Sequence, residues 1–61
     1  MTLYRNIQEE CRKQGISIIA MEEELGFSRG SICKWDVNIP SVLKVKKVAD
    51  RLNTTVDALL Q

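Results

Sequence analysis

The sequence predicts an all-α protein, a compact bundle of five short helices that forms a single domain over residues 1–61. Three observations predict this class. Apolar residues recur every three or four positions in successive stretches, as on the buried face of a helix. Serine, threonine, glycine and proline residues, which begin or end helices, separate these stretches. No stretch shows the alternation of apolar and polar residues that is typical of a strand.

The length and composition are those of a small globular domain. A chain of 61 residues buries only about 60% of its unfolded surface, so a partner subunit would add stability. The longest apolar run, residues 18–21, is too short to span a bilayer. Charged residues from Arg5 onward argue against a signal peptide. We therefore expect a soluble cytoplasmic protein without a membrane partner.

The first two helices are predicted from apolar spacing and from residues that cap helices. The first helix carries apolar residues at i, i+4 and i+8: Leu3, Ile7 and Cys11. Gly15 is a natural end for it, because glycine adopts the left-handed conformation at little cost. Ser17 is expected to cap a second helix over residues 18–25, and Gly26 to end that helix.

Three further helices are predicted in the second half of the chain. Ser28 is expected to cap a third helix over residues 28–36, and Pro40 breaks the helical pattern after it. Ser41 caps a fourth helix and Thr55 a short fifth one. The predicted apolar face of the fourth helix comprises Val42, Val45, Val48, Ala49 and Leu52. That of the fifth comprises Val56, Leu59 and Leu60.

The charges divide the chain into an acidic and a basic part. The net charge is only +1. Residues 1–27 nevertheless carry three basic and five acidic side chains, whereas residues 28–61 carry six basic and three acidic ones. Such a polarised molecule would meet a polyanion with one side only.

The residues that usually carry catalysis or bind metal are sparse. The chain has no histidine, and its two cysteines, Cys11 and Cys33, are far apart in sequence. A zinc site would lack ligands, and no nucleophile lies beside a general base in a recognisable pattern. We therefore expect two reduced thiols, with a structural disulfide as the alternative. We predict no enzymatic activity, no metal, no cofactor and no small-molecule site.

The stretch LGFSRGSICKW, residues 25–35, joins two predicted helices through a short turn that contains glycine. A helix, a three-residue turn and a second helix make up a DNA-binding helix-turn-helix motif. Apolar residues lie where such a motif needs internal contacts: Met21, Leu25, Phe27, Ile32 and Trp35. We expect these side chains to fix the crossing angle, with Trp35 in the core rather than stacked on a base.

The order of these motifs resembles the phage-repressor and Cro-type helix-turn-helix domains, known as the lambda-repressor-like or XRE family. The resemblance covers nearly the whole chain. It includes GIS at 15–17, LGFSR at 25–29, ICKWD at 32–36, PS at 40–41, ADRLN at 49–53 and TVDALL at 55–60.

The resemblance implies a sequence-specific regulator of transcription that binds double-stranded DNA, a repressor-like protein of a bacterium or phage, associated with the nucleoid. The helix-turn-helix would span residues 17–36 and consist of helices 2 and 3, with the recognition helix 28–36 in the major groove. The implied base-reading residues are Ser28, Arg29, Gly30, Ser31, Cys33 and Lys34. Arg29 is the best candidate, because its guanidinium can bond guanine O6 and N7 together.

The same resemblance implies phosphate contacts and a homodimer. The phosphate contacts would come from Ser17, Asn38, Ser41 and Lys44, because helix N-termini offer free N–H groups. The dimer would bind a pseudo-palindromic operator with half-sites ~34 Å apart. Its interface would involve the last helix and the segment before it: Ile39, Val56, Leu59 and Leu60.

Two positions near the turn differ from the family pattern. Ile18 stands where the family usually has a glutamine that touches DNA, and Glu22 where it prefers alanine between helices 2 and 3. Burial of an unpaired carboxylate destabilises the folded state by several kcal/mol, because the charged group loses its contacts with water. We therefore expect Arg29 or Lys34 to pair with Glu22. A strained carboxylate of this kind predicts that Glu22→Ala stabilises the protein or barely changes its stability.

A third difference lies on the first helix. Cys11 occupies a place where relatives often have an arginine that pairs with an acid at the end of helix 3. Asp36 then either lacks a partner or pairs with Arg12.

These differences keep a second hypothesis open. A repressor-like scaffold can serve as a protein-binding module, for example as an antagonist of another regulator, and Ile18 and the acidic run 22–24 favour this. An antitoxin role, as in some relatives, is a third hypothesis.

Overall fold

The computed structural model describes residues 3–38 and 40–61 of the protein. Four α-helices occur there: α1 (Leu3–Gln14), α2 (Ile18–Leu25), α3 (Val42–Arg51) and α4 (Val56–Leu60). A single 3-10 turn, Ile32–Lys34, lies between α2 and α3. The described residues contain no strand, so the prediction of an all-α fold is confirmed, whereas the prediction of five helices is wrong. None of the described helices is long and apolar enough to cross a membrane.

The boundaries of α2 follow from its flanking residues as predicted. Ser17 has an extended backbone, and its hydroxyl accepts a hydrogen bond from the N–H of Ala20 at 3.0 Å. This bond satisfies one of the N–H groups that a helix leaves free at its start. At the other end, Gly26 has φ +78° and donates its N–H to carbonyls of the last turn. The left-handed conformation costs glycine little, so α2 ends there.

The last two helices begin at the predicted caps, but only one cap acts through its side chain. The hydroxyl of Thr55 accepts a hydrogen bond from the N–H of Ala58 at 3.1 Å. Ser41 has the extended backbone of an N-cap, and its hydroxyl makes no capping hydrogen bond. Its hydroxyl is therefore left available at the exposed start of α3.

The predicted third helix over residues 28–36 is absent. Residues 28–38, called here the turn segment, form a succession of tight turns. The N–H of Ser31 donates to the carbonyl of Ser28, and that of Trp35 to Ile32, both at 3.0 Å and both three residues back. Gly30 has φ +86°, a value that no α-helix contains. The left-handed Gly30 therefore prevents Ser28 from starting a continuous helix.

One apolar core joins all four helices to the turn segment. Its buried members are Leu3, Ile7, Cys11, Met21, Ile32, Trp35, Val45, Val48, Ala49, Leu52 and Leu59. Phe27 and Leu25 are partly buried against this core, and the Phe27 ring meets the Trp35 ring edge to face at a centroid distance of 5.7 Å. These side chains pack together and Trp35 lies in the core, as predicted. The crossing of two helices that they were expected to fix is not formed, because residues 28–36 are not a helix.

Two apolar residues, Val42 and Leu59, occupy other environments than predicted. Val42, expected on the apolar face of its helix, is 72% exposed. Leu59, expected at a dimer interface, is buried in the core at 1% exposure. α4 presents Leu60 outward instead, because its tight packing against α1 and α3 turns Leu59 inward. Val56 is partly buried against the core, and the predicted contact Ile39 lies outside the described residues.

Asp36 connects the turn segment to α1. Its Oδ1 accepts a hydrogen bond from the backbone N–H of Tyr4 at 2.9 Å. Tyr4 is in the first turn of α1, where N–H groups lack partners within the helix. The alternative pairing of Asp36 with Arg12 is wrong, because the Arg12 guanidinium bonds Glu9 at 2.7 Å. Asp36 therefore acts as a long-range cap.

Candidate nucleic-acid interface

The turn segment presents most of the predicted base-reading side chains to solvent. Ser28, Arg29, Cys33 and Lys34 are exposed, while Gly30 and Ser31 are partly buried. The polar side chains project from turns and from the 3-10 turn instead of one helical face. The buried side chains of Ile32 and Trp35 anchor the turn segment in the core.

Glu22 of α2 fixes the backbone of the turn segment. Its side chain is 1% exposed. The N–H of Gly30 donates to Oε1 at 3.0 Å, and the N–H of Ile32 donates to Oε2 at 2.9 Å. Both carboxylate oxygens therefore bind backbone N–H groups eight and ten residues further along the chain. The expected ion pair of Glu22 with Arg29 or Lys34 is not formed.

The conformation of Gly30 explains why a carboxylate is accommodated here. The left-handed backbone at Gly30 interrupts the helical hydrogen bonds and leaves the N–H groups of Gly30 and Ile32 for another acceptor. A carboxylate is the strongest such acceptor, and bonds to a charged group are about twice as strong as neutral ones. Within residues 3–38 and 40–61, every buried side-chain nitrogen and oxygen has a hydrogen-bond partner. The carboxylate is therefore satisfied and not strained.

Glu22 is a positioning residue whose role the sequence does not predict. The available signal was an acidic residue in α2 followed eight residues later by glycine. The sequence predicts a cation as the partner of Glu22, because a continuous third helix would use the N–H groups of Gly30 and Ile32 for its own hydrogen bonds.

A surface recess of about 360 Å³ lies between the start of α2 and the turn segment. Its lining comprises Tyr4, Ser17, Ile18, Ile19, Glu22, Arg29, Gly30 and Cys33. The recess thus brings three of the predicted base-reading residues together with Ser17, a predicted phosphate contact. Ile18 is partly buried, whereas Ile19 is 46% exposed. We refer to this feature as the recess.

The cations of the molecule differ in whether they have an acidic partner. Lys46 pairs with Asp50 at 2.9 Å, and Arg51 pairs with Glu24 at 2.6 Å. Among the described residues, Arg29, Lys34 and Lys44 make no ion pair. Their positive charges are therefore available to an external anion.

The predicted phosphate contacts are all accessible. Ser17 and Ser41 stand at the starts of α2 and α3, Lys44 is in the first turn of α3, and Asn38 ends the turn segment. Each of the four is exposed. Two helix N-termini and a lysine are groups that bind phosphate well.

The thiols occupy two different environments. Cys11 is buried in the core, Cys33 is exposed at the recess, and both are free. The Cys33 thiol donates a hydrogen bond to the carbonyl of Gly30 at 3.0 Å. Within the described part of the chain, no three cysteine or carboxylate side chains come together in a way that could hold a metal ion.

Comparison with protein-family models, with curated proteins and with solved structures yields no match. Function is therefore inferred from the residues and from the geometry of the interface described above.

Proposed function

We propose that the protein is a sequence-specific regulator of transcription that binds double-stranded DNA and presents the turn segment to the major groove. One observation carries this proposal: Arg29 and Lys34 project, exposed and without an acidic partner in the described residues, from a backbone held by Glu22 and by the core. A preorganised backbone of this kind lowers the ordering cost of binding.

Arg29 is assigned the main base contact. A guanidinium can donate two parallel hydrogen bonds to O6 and N7 of guanine, a pattern that only guanine offers in the major groove. Loss of such a contact costs about 1–3 kcal/mol. Lys34, nearby on the turn segment, is assigned to a second guanine or to a phosphate.

The phosphate contacts set the orientation on the duplex. Ser17, at the start of α2, lines the recess. Ser41 and Lys44 lie at the start of α3. Each neutralised phosphate releases a counterion, so affinity should fall steeply with salt.

A homodimer on a pseudo-palindromic site completes the proposal. A domain of this size reads only a few base pairs, and two copies double the contacts. Leu60, 51% exposed, and the partly buried Val56 remain the proposed contacts on the last helix, whereas the buried Leu59 is withdrawn from them.

The test is selection of bound sequences from a random duplex pool, with the wild-type protein and with Arg29→Ala. The variant should lose preference at one base-pair position of each half-site and bind the selected site about 5- to 150-fold more weakly, the equivalent of one lost bidentate contact. Lys13→Ala is the matched control, because Lys13 is exposed and pairs with Glu10 in a depression between α1 and α4. Unchanged selectivity in Arg29→Ala would remove Arg29 from the interface.

A protein-binding module is the second candidate, favoured by exposed apolar side chains near residue 40. Val37 is 84% exposed and Leu43 is 76% exposed. A module of this kind should show little affinity for duplex DNA even at low salt, whereas a DNA-binding protein should show strong, salt-dependent binding. A salt titration with random duplex DNA therefore discriminates the two.

A further inference from the structure

We infer that the recess accepts the 5-methyl group of thymine, which makes Ile18, Ile19 and Cys33 specificity-determining residues. This inference rests on the proposed function and names the base that the recess reads.

The lining of the recess is apolar where it is open. Ile18 and Ile19 contribute aliphatic side chains from α2, and Cys33 contributes an exposed thiol from the turn segment. An aliphatic wall satisfies neither the donors nor the acceptors of a base edge. The thymine methyl group is the apolar feature that a major groove offers to it.

Most polar groups of the recess, Arg29 apart, already make hydrogen bonds within the protein. Both oxygens of Glu22 accept backbone N–H groups, the Ser17 hydroxyl accepts from Ala20, and the Cys33 thiol donates to Gly30. Glu22 and the Cys33 thiol therefore offer little to a hydrogen-bonding guest, so an apolar group is the best fit beside Ile18 and Ile19. The O–H of Ser17, which only accepts within the protein, can still donate to a phosphate.

The charge at the recess favours nucleic acid as the occupant. Glu22 is 1% exposed, whereas Arg29 is exposed and makes no ion pair among the described residues. The accessible charge beside the apolar wall is therefore positive. An apolar wall beside an arginine matches a thymine next to a guanine, since the guanidinium would bond the guanine while the methyl group enters the recess.

The position of Arg29 in the recess predicts one feature of the operator sequence. Because Arg29 lines the same recess as Ile18 and Cys33, the thymine must lie next to the guanine that Arg29 reads. Selected sequences should therefore contain a T adjacent to that G in each half-site.

The experiment uses the full chain and the selected duplex, with each thymine replaced in turn by deoxyuridine, which removes only the methyl group. We expect one thymine position per half-site at which the replacement weakens binding about fourfold. This factor corresponds to the free energy lost when one methyl-sized group is no longer buried. In Ile19→Ala the same replacement should have a smaller effect, since the wall that contacts the methyl is shortened. Cys33→Ser serves as a second variant. The side chains of Ile19 and Cys33 are both exposed and neither belongs to the core, so both variants should fold.

Val42→Ala is the matched control. Val42 is an exposed apolar residue at the start of α3, outside the recess, so the sensitivity to deoxyuridine should stay at the wild-type value. As a converse test, 5-methylcytosine restores the methyl group in a duplex in which cytosine replaces that thymine, and it should recover part of the lost affinity.

The outcomes separate this inference from the proposed function. If the protein selects a sequence but tolerates deoxyuridine at every position, the recess does not read thymine and the inference is overturned, while the proposed function stands. Undiminished sensitivity to deoxyuridine in both Ile19→Ala and Cys33→Ser would overturn it as well, by placing the methyl contact elsewhere. Failure of the wild-type protein to bind duplex DNA would overturn the proposed function, and this inference with it.

Discussion

Replacement of Glu22 by alanine should destabilise the protein strongly. The side chain is buried between α2 and the turn segment, and its two oxygens hold the N–H groups of Gly30 and Ile32. In the alanine variant both N–H groups lose their acceptor, and the space of the carboxylate is left to be filled. This result is opposite to that expected of a strained, unpaired carboxylate.

The magnitude follows from the two hydrogen bonds. A hydrogen bond to a charged group contributes about 1.5–3 kcal/mol. The bond to Ile32 is buried, whereas that to Gly30 is only partly buried, so water can replace part of it. We therefore expect the free energy of unfolding to fall by about 2–4 kcal/mol. A chain of this length has a total of only about 3–9 kcal/mol, so the loss would be a large part of the stability.

The assay is urea denaturation followed by Trp35 fluorescence. Glu23→Ala is the matched control, because Glu23 is an exposed neighbour on the same helix and should change stability by less than about 0.5 kcal/mol. Glu22→Gln should recover part of the loss, since its amide oxygen accepts one N–H group while its NH₂ group cannot accept the other.

Amide hydrogen exchange supplies an independent measurement. In Glu22→Gln, exchange of the Gly30 and Ile32 amides should accelerate more than exchange of core amides in α1. A loss of stability below about 0.5 kcal/mol in Glu22→Ala, with unchanged exchange at these two amides, would refute the assignment of Glu22 as the residue that holds the turn segment.

Three further predictions concern the long-range cap and the two thiols. Asp36→Ala should cost about 1 kcal/mol in urea denaturation, as for other lost caps, whereas Asp36→Asn keeps an acceptor for the Tyr4 N–H and should retain most of the stability; equal losses in the two variants would contradict the cap. Burial raises the pKa of the Cys11 thiol, so its contribution to stability is complete below the unfolded thiol pKa, about 8.5, and is lost as the pH rises toward the folded value. The Tm should therefore decrease less steeply between pH 7 and 10 in Cys11→Ala than in the wild type. Alkylation of the native protein should modify the exposed Cys33 well before the buried Cys11, and equal rates would contradict the burial of Cys11.

The ends of the helices were predictable because they depend on neighbours in sequence. The cap bonds of Ser17 and Thr55 join residues three apart, and Gly26 acts through its own backbone conformation. The buried face of α1, which comprises Leu3, Ile7 and Cys11, was equally predictable, since helical periodicity places these residues on one side.

The third helix was predicted from the same kinds of signal and is not formed. Ser28 resembles a cap, and Ile32 and Trp35 have helical spacing, but Gly30 between them takes a left-handed conformation. An isolated helix of nine residues is marginal, because nucleation is costly and tertiary contacts usually decide. Here an acceptor from α2, the Glu22 carboxylate, competes successfully for the N–H groups.

The all-α class, the ends of α2, the side-chain caps Ser17 and Thr55 and most of the core could be predicted from the sequence, because these features depend on spacing and on contacts within a few residues. The partners of Glu22 and Asp36, the burial of Leu59 and the grouping of Ile18, Arg29 and Cys33 around one recess follow from the packing of the folded chain. These depend on contacts between residues far apart in the chain, and local periodicity carries no information about which acceptor a distant N–H group will meet.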